Sequence, residues 1–424
     1  MIENTEQLPA TFGPYWLFDL IGKGGMAEIF LAKTFTGLGT ERLCVIKRVL
    51  PHLNADVGFC EMLIKEAKLC ARLSHANVVQ TYELGQIDRQ YYIAMEYVEG
   101  ADLNRLLGLL ARVQIALPLP FALYIIVETL RGLDYAHRLT GGSDAPLHII
   151  HRDVSPTNVL ISIEGEIKLC DFGIAKAAFG ERGVEHRLDE YHLKGKVAYM
   201  APEHIAGASI DRRADLFAAG ILMWELLQGR RLYKTKDDAE TLRRAAAAEI
   251  PPLEDRGFPK FEMLDAIVRR ALAREPGDRF QTGHVLIRAI EDYMHASGQM
   301  ISQLRFAEFL MENFGESLMQ QRRERERHLA EMMRIREEEE EAARSQARTE
   351  ITASLLIDEE DEEERISSPH AAPAPVETPA PRPRERVVEP RRATGSGGHV
   401  GLWVAGFVAI AAATAVALWL LGVY

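Results

Sequence analysis

The sequence predicts an α+β fold of two lobes, a small β-rich lobe followed by a larger helical one, with a cleft between them. Two observations carry this. Alternating or β-branched runs crowd the first hundred residues, at 15–20, 29–32, 43–49, 78–84 and 91–97. Beyond Gly100 helical periodicity takes over, as at 120–137 and 214–227. One helix is expected inside the β-rich part, over 57–73, where Phe59, Met62, Leu63, Leu69 and Leu73 recur near helical spacing.

The rest of the chain divides by composition. Residues 1–14 form a tail without the basic and apolar regions of a secretory signal. Residues 15–299 read as one globular unit, with its small lobe at 15–97 and its large lobe at 100–299. An amphipathic helical extension is expected at 300–318, and a charged segment, helical through i,i+4 pairs, at 319–348. Leu329, Met332, Met333 and Ile335 make no sustained heptad there. Residues 349–400, an acidic block and then a Pro/Ala-rich stretch, read as a disordered linker that cannot bury enough apolar surface to order itself. Residues 402–423 carry no charge and would span about 33 Å as a helix, enough for a bilayer core. Trp403, Trp419 and Tyr424 sit at the ends, where interfacial rings are favoured. Arg382, Arg384, Arg386, Arg391 and Arg392 lie upstream, so the globular unit is expected on the cytoplasmic side, with no exported sensor domain beyond the span.

The chain of 424 residues has a net charge of −12, which argues against nucleic acid as a partner. Cys44, Cys60, Cys70 and Cys170 form no CxxC pair and read as reduced core residues. Cys170, beside an acidic motif, is either a reactive thiol or a small packed hydrophobe.

Five motifs carry chemistry. Gly22-Lys23-Gly24-Gly25-Met26-Ala27-Glu28-Ile29 falls between two strands, so it reads as a hairpin whose glycines let backbone approach phosphate. Val45-Ile46-Lys47 puts a lysine inside an apolar strand, where it needs an anion. Glu66 on the following helix could meet it, with Glu61 as the alternative. In His151-Arg152-Asp153-Val154-Ser155-Pro156-Thr157-Asn158 an Asp could accept a hydroxyl proton and an Asn could ligate a hard cation. Asp171-Phe172-Gly173 follows an apolar strand and offers a second cation ligand. Ala201-Pro202-Glu203 lies 30 residues beyond Asp171.

In order and spacing these motifs resemble the protein kinase family, most closely the eukaryotic-like serine/threonine kinases of bacteria, over about residues 15 to 290. The resemblance implies a bilobal kinase fold, ATP and Mg2+ (or Mn2+) as cofactors, and transfer of the γ-phosphate to Ser/Thr hydroxyls of protein substrates. It assigns the phosphate-covering loop to Ile21, Gly22, Lys23, Gly24, Gly25 and Ile29. It makes Lys47 the phosphate-contacting lysine, Glu66 its helix partner, Asp153 the base, and Asn158 and Asp171 the metal ligands. Met95, Glu96 and Val98 become the hinge that reads adenine, with Met95 as gatekeeper. Asp215 resembles the buried aspartate that holds the catalytic loop, and Arg279 the arginine that pairs with Glu203.

The sequence departs from the family pattern at four places. Ala27 replaces a third glycine. Ser155 stands where a lysine contacts the γ-phosphate, and Lys196 where a threonine is usual. The resemblance places those two positions in contact, so Lys196 is expected to supply the missing charge with Ser155 as its partner. Residues 174–197 contain no Ser or Thr, their only hydroxyl being on Tyr191. Glu181, Glu185, Asp189 and Glu190 could there serve Arg152 in place of a phosphate. A catalytically dead scaffold that still binds nucleotide is the competing reading. A third makes the charged tail a docking platform.

Overall fold

The structure, a computed structural model, describes residues 8–35, 41–142, 144–172, 197–233, 235 and 237–367. The chain divides into a unit Met1–Gln346 and a unit Ala347–Tyr424, the second described only as helix through Ser367.

Strands β1 (Ala10–Phe12), β2 (Tyr15–Lys23), β3 (Ala27–Phe35), β4 (Glu41–Val49), β5 (Thr81–Ile87) and β6 (Gln90–Glu96) form an antiparallel sheet in the order β1-β2-β3-β4-β6-β5. Alternation along β2 decides its faces. Tyr15 and Leu17 pack with Phe30, Ala32, Cys44, Ile46 and Tyr92, whereas Trp16 and Phe18 turn to the opposite face with Leu31. Both faces of this strand are therefore buried. Helices α1 (Pro51–Asn54) and α2 (Val57–Cys70) fill the β4–β5 crossover. Asp56 caps α2 by accepting from the Phe59 N–H at 3.0 Å. Phe59, Leu63 and Ala67 seat the helix on Val49 and Ile93.

Beyond β6 the chain enters the large lobe. A second sheet pairs β7 (Gly100–Asp102), β8 (Val159–Ser162) and β9 (Ile167–Leu169). A Cβ on Gly100 would meet the Ile161 carbonyl at 1.9 Å, so the crossing requires glycine. The helices are α3 (Leu103–Arg112), α4 (Leu119–Arg138), α5 (Pro202–Ile205), α6 (Arg212–Gln228), α7 (Asp238–Ala247), α8 (Phe261–Ala271) and α9 (Gly283–Ser297). Helix α6 is apolar nearly all round, as a central helix must be. Leu216, Phe217, Ile221 and Trp224 are completely buried. Arg279, also buried, binds Glu203 through two parallel hydrogen bonds of 2.7 and 2.8 Å, and its remaining donors meet the carbonyls of Ala273, Arg213 and Arg274.

The last described helix, α10, runs Gln303–Ser367 without a break. Residues 349–367, expected to begin a disordered linker, are thus helical. Glutamate is the commonest residue of this stretch and a fair helix former, and Ala353, Leu355 and Leu356 add to its helix propensity. Residues 402–423 lie outside the described residues. Among the described residues no helix is long and apolar enough to cross a membrane.

The buried fork of Arg279 yields a stability prediction. Glu203→Gln or Arg279→Leu should cost about 3–5 kcal/mol, because each leaves the other charge buried without its counter-ion. Arg279→Lys should rescue little, since an ammonium cannot reproduce the planar fork. Urea unfolding monitored by tryptophan fluorescence measures both.

Candidate active site

The glycine-rich motif is the β2–β3 turn. The Gly24 N–H donates to the Ala27 carbonyl at 2.9 Å, Gly22 lies opposite Ile29, and Lys23 pairs with Glu28 at 3.3 Å. Below this hairpin opens a cleft of about 690 Å3. Ile21, Ile29, Leu31 and Val45 line its upper wall, and Met95, Glu96, Tyr97 and Val98 its back. The Glu96 carboxylate bonds Lys168 at 2.8 Å and accepts from the Gln80 N–H at 3.1 Å, which locks the inter-lobe segment.

Lys47, on β4 between Ile29 and Ile93, enters the same cleft. Its Nζ lies 2.7 Å from Asp171 Oδ1. Burial presses the Lys47 pKa down. The Asp171 carboxylate more than restores it, by charge and by hydrogen bond, and Asp153 adds to the effect. The ammonium therefore holds its proton above the ordinary lysine range. Two residues expected apart in sequence, Lys47 and Asp171, are thus one ion pair joining the lobes. Glu66 is on α2, but its side chain lies outside the described residues, and Glu61 is exposed.

The segment bearing Asp153 is pinned from below by Asp215. This α6 carboxylate accepts from the backbone N–H groups of His151 and Arg152, each at 2.8 Å, and meets His137 Nε2 at 2.7 Å. Burial would raise its pKa, yet the hydrogen bonds from His137 and from the His151 backbone N–H help hold it below the usual carboxylate value. The turn this imposes is sharp, with Arg152 at φ +62°. Asn158 donates its side-chain N–H to the Asp153 carbonyl at 2.7 Å, which commits the amide nitrogen and turns the oxygen to any cation. Asp171, also left-handed at φ +56°, follows β9, whose end is tied to this segment where the Cys170 N–H meets the Asn158 carbonyl at 3.0 Å. Phe172 packs on the His151 ring, centroids 4.5 Å apart.

Ser155 is buried, with its hydroxyl 3.1 Å from that of Thr157. Its expected partner Lys196 lies outside the described residues, as do Gly173 and all of 174–196. Among the cleft residues that the sequence reading did not assign to the site, Gln321, Glu324, Arg325 and His328 come from α10, beyond the globular unit expected at 15–299. The only signal for them was the short apolar group that follows, Leu329, Met332, Met333 and Ile335.

His151 supplies a pH prediction. Its Nδ1 accepts from the Asp153 N–H at 3.3 Å, so Nε2 carries the proton toward the Cys170 carbonyl at 3.1 Å. Burial holds the imidazole below its ordinary value of 6.5, against the pull of Asp215, Asp153 and Asp171. The fold thus favours neutral His151. Its contribution is intact above that value and is lost as pH falls toward the lower folded value. Thermal unfolding should show stability falling as the pH drops from 7 to 5. A His151→Asn variant, less stable at pH 7, should show a shallower fall.

Comparison with known proteins agrees with this geometry. The family model described as "Protein kinase domain" matches residues 15–287. The tyrosine-protein kinase MasK of Myxococcus xanthus is 41% identical over 307 residues, covering 72% of this chain and 47% of that protein. The serine/threonine-protein kinase PksC of Streptomyces coelicolor is 33% identical, covering 65% of this chain and 48% of its own length. The chain thus spans under half of each. Among solved structures, the PknI kinase domain of Mycobacterium tuberculosis is similar at 28% identity with a TM-score of 0.50, covering 67% of this chain and 98% of that one. The motifs, the two-lobed architecture and the match over 15–287 agree, and the chain belongs to the protein kinase family.

Proposed function

We propose that this protein transfers the γ-phosphate of ATP to hydroxyl groups of protein substrates, serine and threonine first among them. The observation that carries the reading is the Lys47–Asp171 pair set in the wall of the cleft, with Asp153 close enough for its charge to reach Lys47. Asn158 and Asp171 offer the hard oxygen donors that suit Mg2+, or Mn2+ in its place, which when bound would neutralise phosphate charge.

The chain's own residues supply the rest. Ile21, Ile29, Val45 and Met95 give an apolar slot for adenine, and the backbone of Glu96 and Val98 the groups to read its edge. Gly22, Lys23, Gly24 and Gly25 bring backbone over the phosphates. Lys47, fully protonated, holds them, with Glu66 as its helix partner. Asp153 orients the acceptor hydroxyl and takes its proton. Catalysis in this scheme is positioning and charge stabilisation. In the missing lysine's place, Lys196 supplies the charge beside Ser155. The intact set Lys47, Asp153, Asn158 and Asp171 favours an enzyme over an inert scaffold.

One observation favours a second acceptor. The relative at 41% identity is named a tyrosine-protein kinase, while others are named serine/threonine kinases. Residues 402–423, uncharged and preceded by arginines, support a membrane anchor with the kinase domain on the cytoplasmic side, at the inner membrane of a bacterium.

Asp153→Asn should lower phosphate transfer to a peptide library by on the order of 100-fold or more. Binding of a non-hydrolysable ATP analogue should stay within about twofold, because no nucleotide-holding group is lost. Phosphoamino-acid analysis of the products should show phosphoserine and phosphothreonine, and phosphotyrosine alone would move the assignment to the second reading. Ser155→Lys and Lys196→Thr should each lose at least about tenfold in kcat, and the double variant should regain most of it. A double variant no better than either single one ends the exchange idea.

A further inference from the structure

Helix α10 touches both lobes, and its contacts change character along its length. At its start Phe306, Phe309 and Phe314 are buried in the large-lobe core. The Phe309 ring sits 4.4 Å from Phe121 and the Phe306 ring 5.4 Å from Tyr124, centroid to centroid. Leu310, Phe314 and Leu318 continue this face beside Gly100 and Ala101. Further on, Met332 is buried with Leu329, Met333 and Ile335 against Trp16, Phe18 and Leu31 of the small lobe. Phe309 and Met332 are 23 positions apart, so the anchors stand about 34 Å from each other along the axis.

Between the anchors the same stripe turns polar. Positions 314, 318, 321, 325, 328, 332 and 335 follow one face at alternating spacings of four and three. Gln321, Arg325 and His328, with Glu324, are the members that line the cleft. The stripe is apolar where it meets each lobe and polar where it faces the open cleft, so one helix is fitted to all three surroundings. Arg325 is held there by the Tyr97 hydroxyl and by the Glu99 carboxylate at 3.4 Å, so the inter-lobe segment is fastened to the helix as well.

We infer that α10 is a strap in cis that completes the nucleotide cleft: Met332 and Leu329 are positioning residues that hold the β2–β3 hairpin over the site, and Arg325 and His328 form its outer wall. Nucleotide affinity then depends on residues outside the 15–287 domain. The mechanism is mechanical: Trp16, Phe18 and Leu31 lie on the two strands that carry the glycine-rich turn. Fixing them relative to the large lobe sets how far that turn stands from the phosphates. This inference rests on the cleft being a nucleotide site, as proposed above.

The test uses the full chain in detergent or nanodiscs with a non-hydrolysable ATP analogue and Mg2+. Met332→Asp should weaken analogue binding by about tenfold and raise hydrogen exchange across 15–35. Glu331→Gln, on the exposed side of the same turn, should change neither. A Leu329→Ala/Met332→Ala variant, which adds no buried charge, should act in the same direction should the aspartate variant fold poorly. Unchanged affinity and unchanged exchange in folded anchor variants overturn the inference. Raised exchange with unchanged affinity overturns the claim that the strap sets nucleotide binding. A wild-type chain that does not bind the analogue defeats the nucleotide reading itself, while the exchange measurement still decides whether α10 holds the hairpin.

Discussion

The segment that carries Asp153 has its shape because one carboxylate is buried beneath it. Asp215 is nearly inaccessible to solvent, and a buried anion persists only where hydrogen bonds replace its hydration. Here the replacements are the backbone N–H groups of His151 and Arg152 and the His137 ring. Satisfying them bends the chain into a conformation that Arg152, with a positive φ, would not otherwise adopt. That bend brings Asn158 within reach of the Asp153 carbonyl. Of the left-handed non-glycine residues, Arg152 and Asp171 sit where chemistry is expected, and Arg152 is held by a charge placed on the buried central helix of the lobe.

Much of this was legible in the sequence because it depends on residue types that are costly elsewhere. A lysine in an apolar strand, an aspartate in an apolar helix and a glycine-rich turn between strands each ask for a particular neighbour. Asp215 meets the loop and Glu203 meets Arg279, as the resemblance implied, whereas Lys47 meets Asp171, a carboxylate other than the expected Glu66, whose side chain lies outside the described residues. Met95, Glu96 and Val98 fall on the cleft because β6 ends there and the chain must cross between lobes.

The helix beyond residue 300 was less legible for a definite reason. Its stripe has a period of seven over a short length, broken by polar residues at the cleft, so neither a coiled-coil nor a simple amphipathic pattern emerges. The complementary clue lies 300 residues away, in Tyr15-Trp16-Leu17-Phe18, where both faces of a strand are apolar. One face has a partner in the sheet's own core. The other needs a cover, and nothing local supplies one. Pairing that face with four apolar residues in a charged run requires tertiary information.

Among the ties that join the lobes, two differ in their physics. The Lys47–Asp171 pair lies inside the cleft with both side chains about a quarter to a third exposed, so screening limits it to the order of 1 kcal/mol. The α10 anchor lies outside the cleft and removes Trp16, Phe18, Leu31 and Met332 from water, at about 1.5–3 kcal/mol for each side chain fully covered. The second tie is stronger and insensitive to salt, and it does not engage Lys47. On the proposed function the ion pair yields Lys47 to phosphates, and such a pair cannot also fix the spacing of the lobes. The hydrophobic tie can, because it acts on the back of the hairpin whose front meets the cleft.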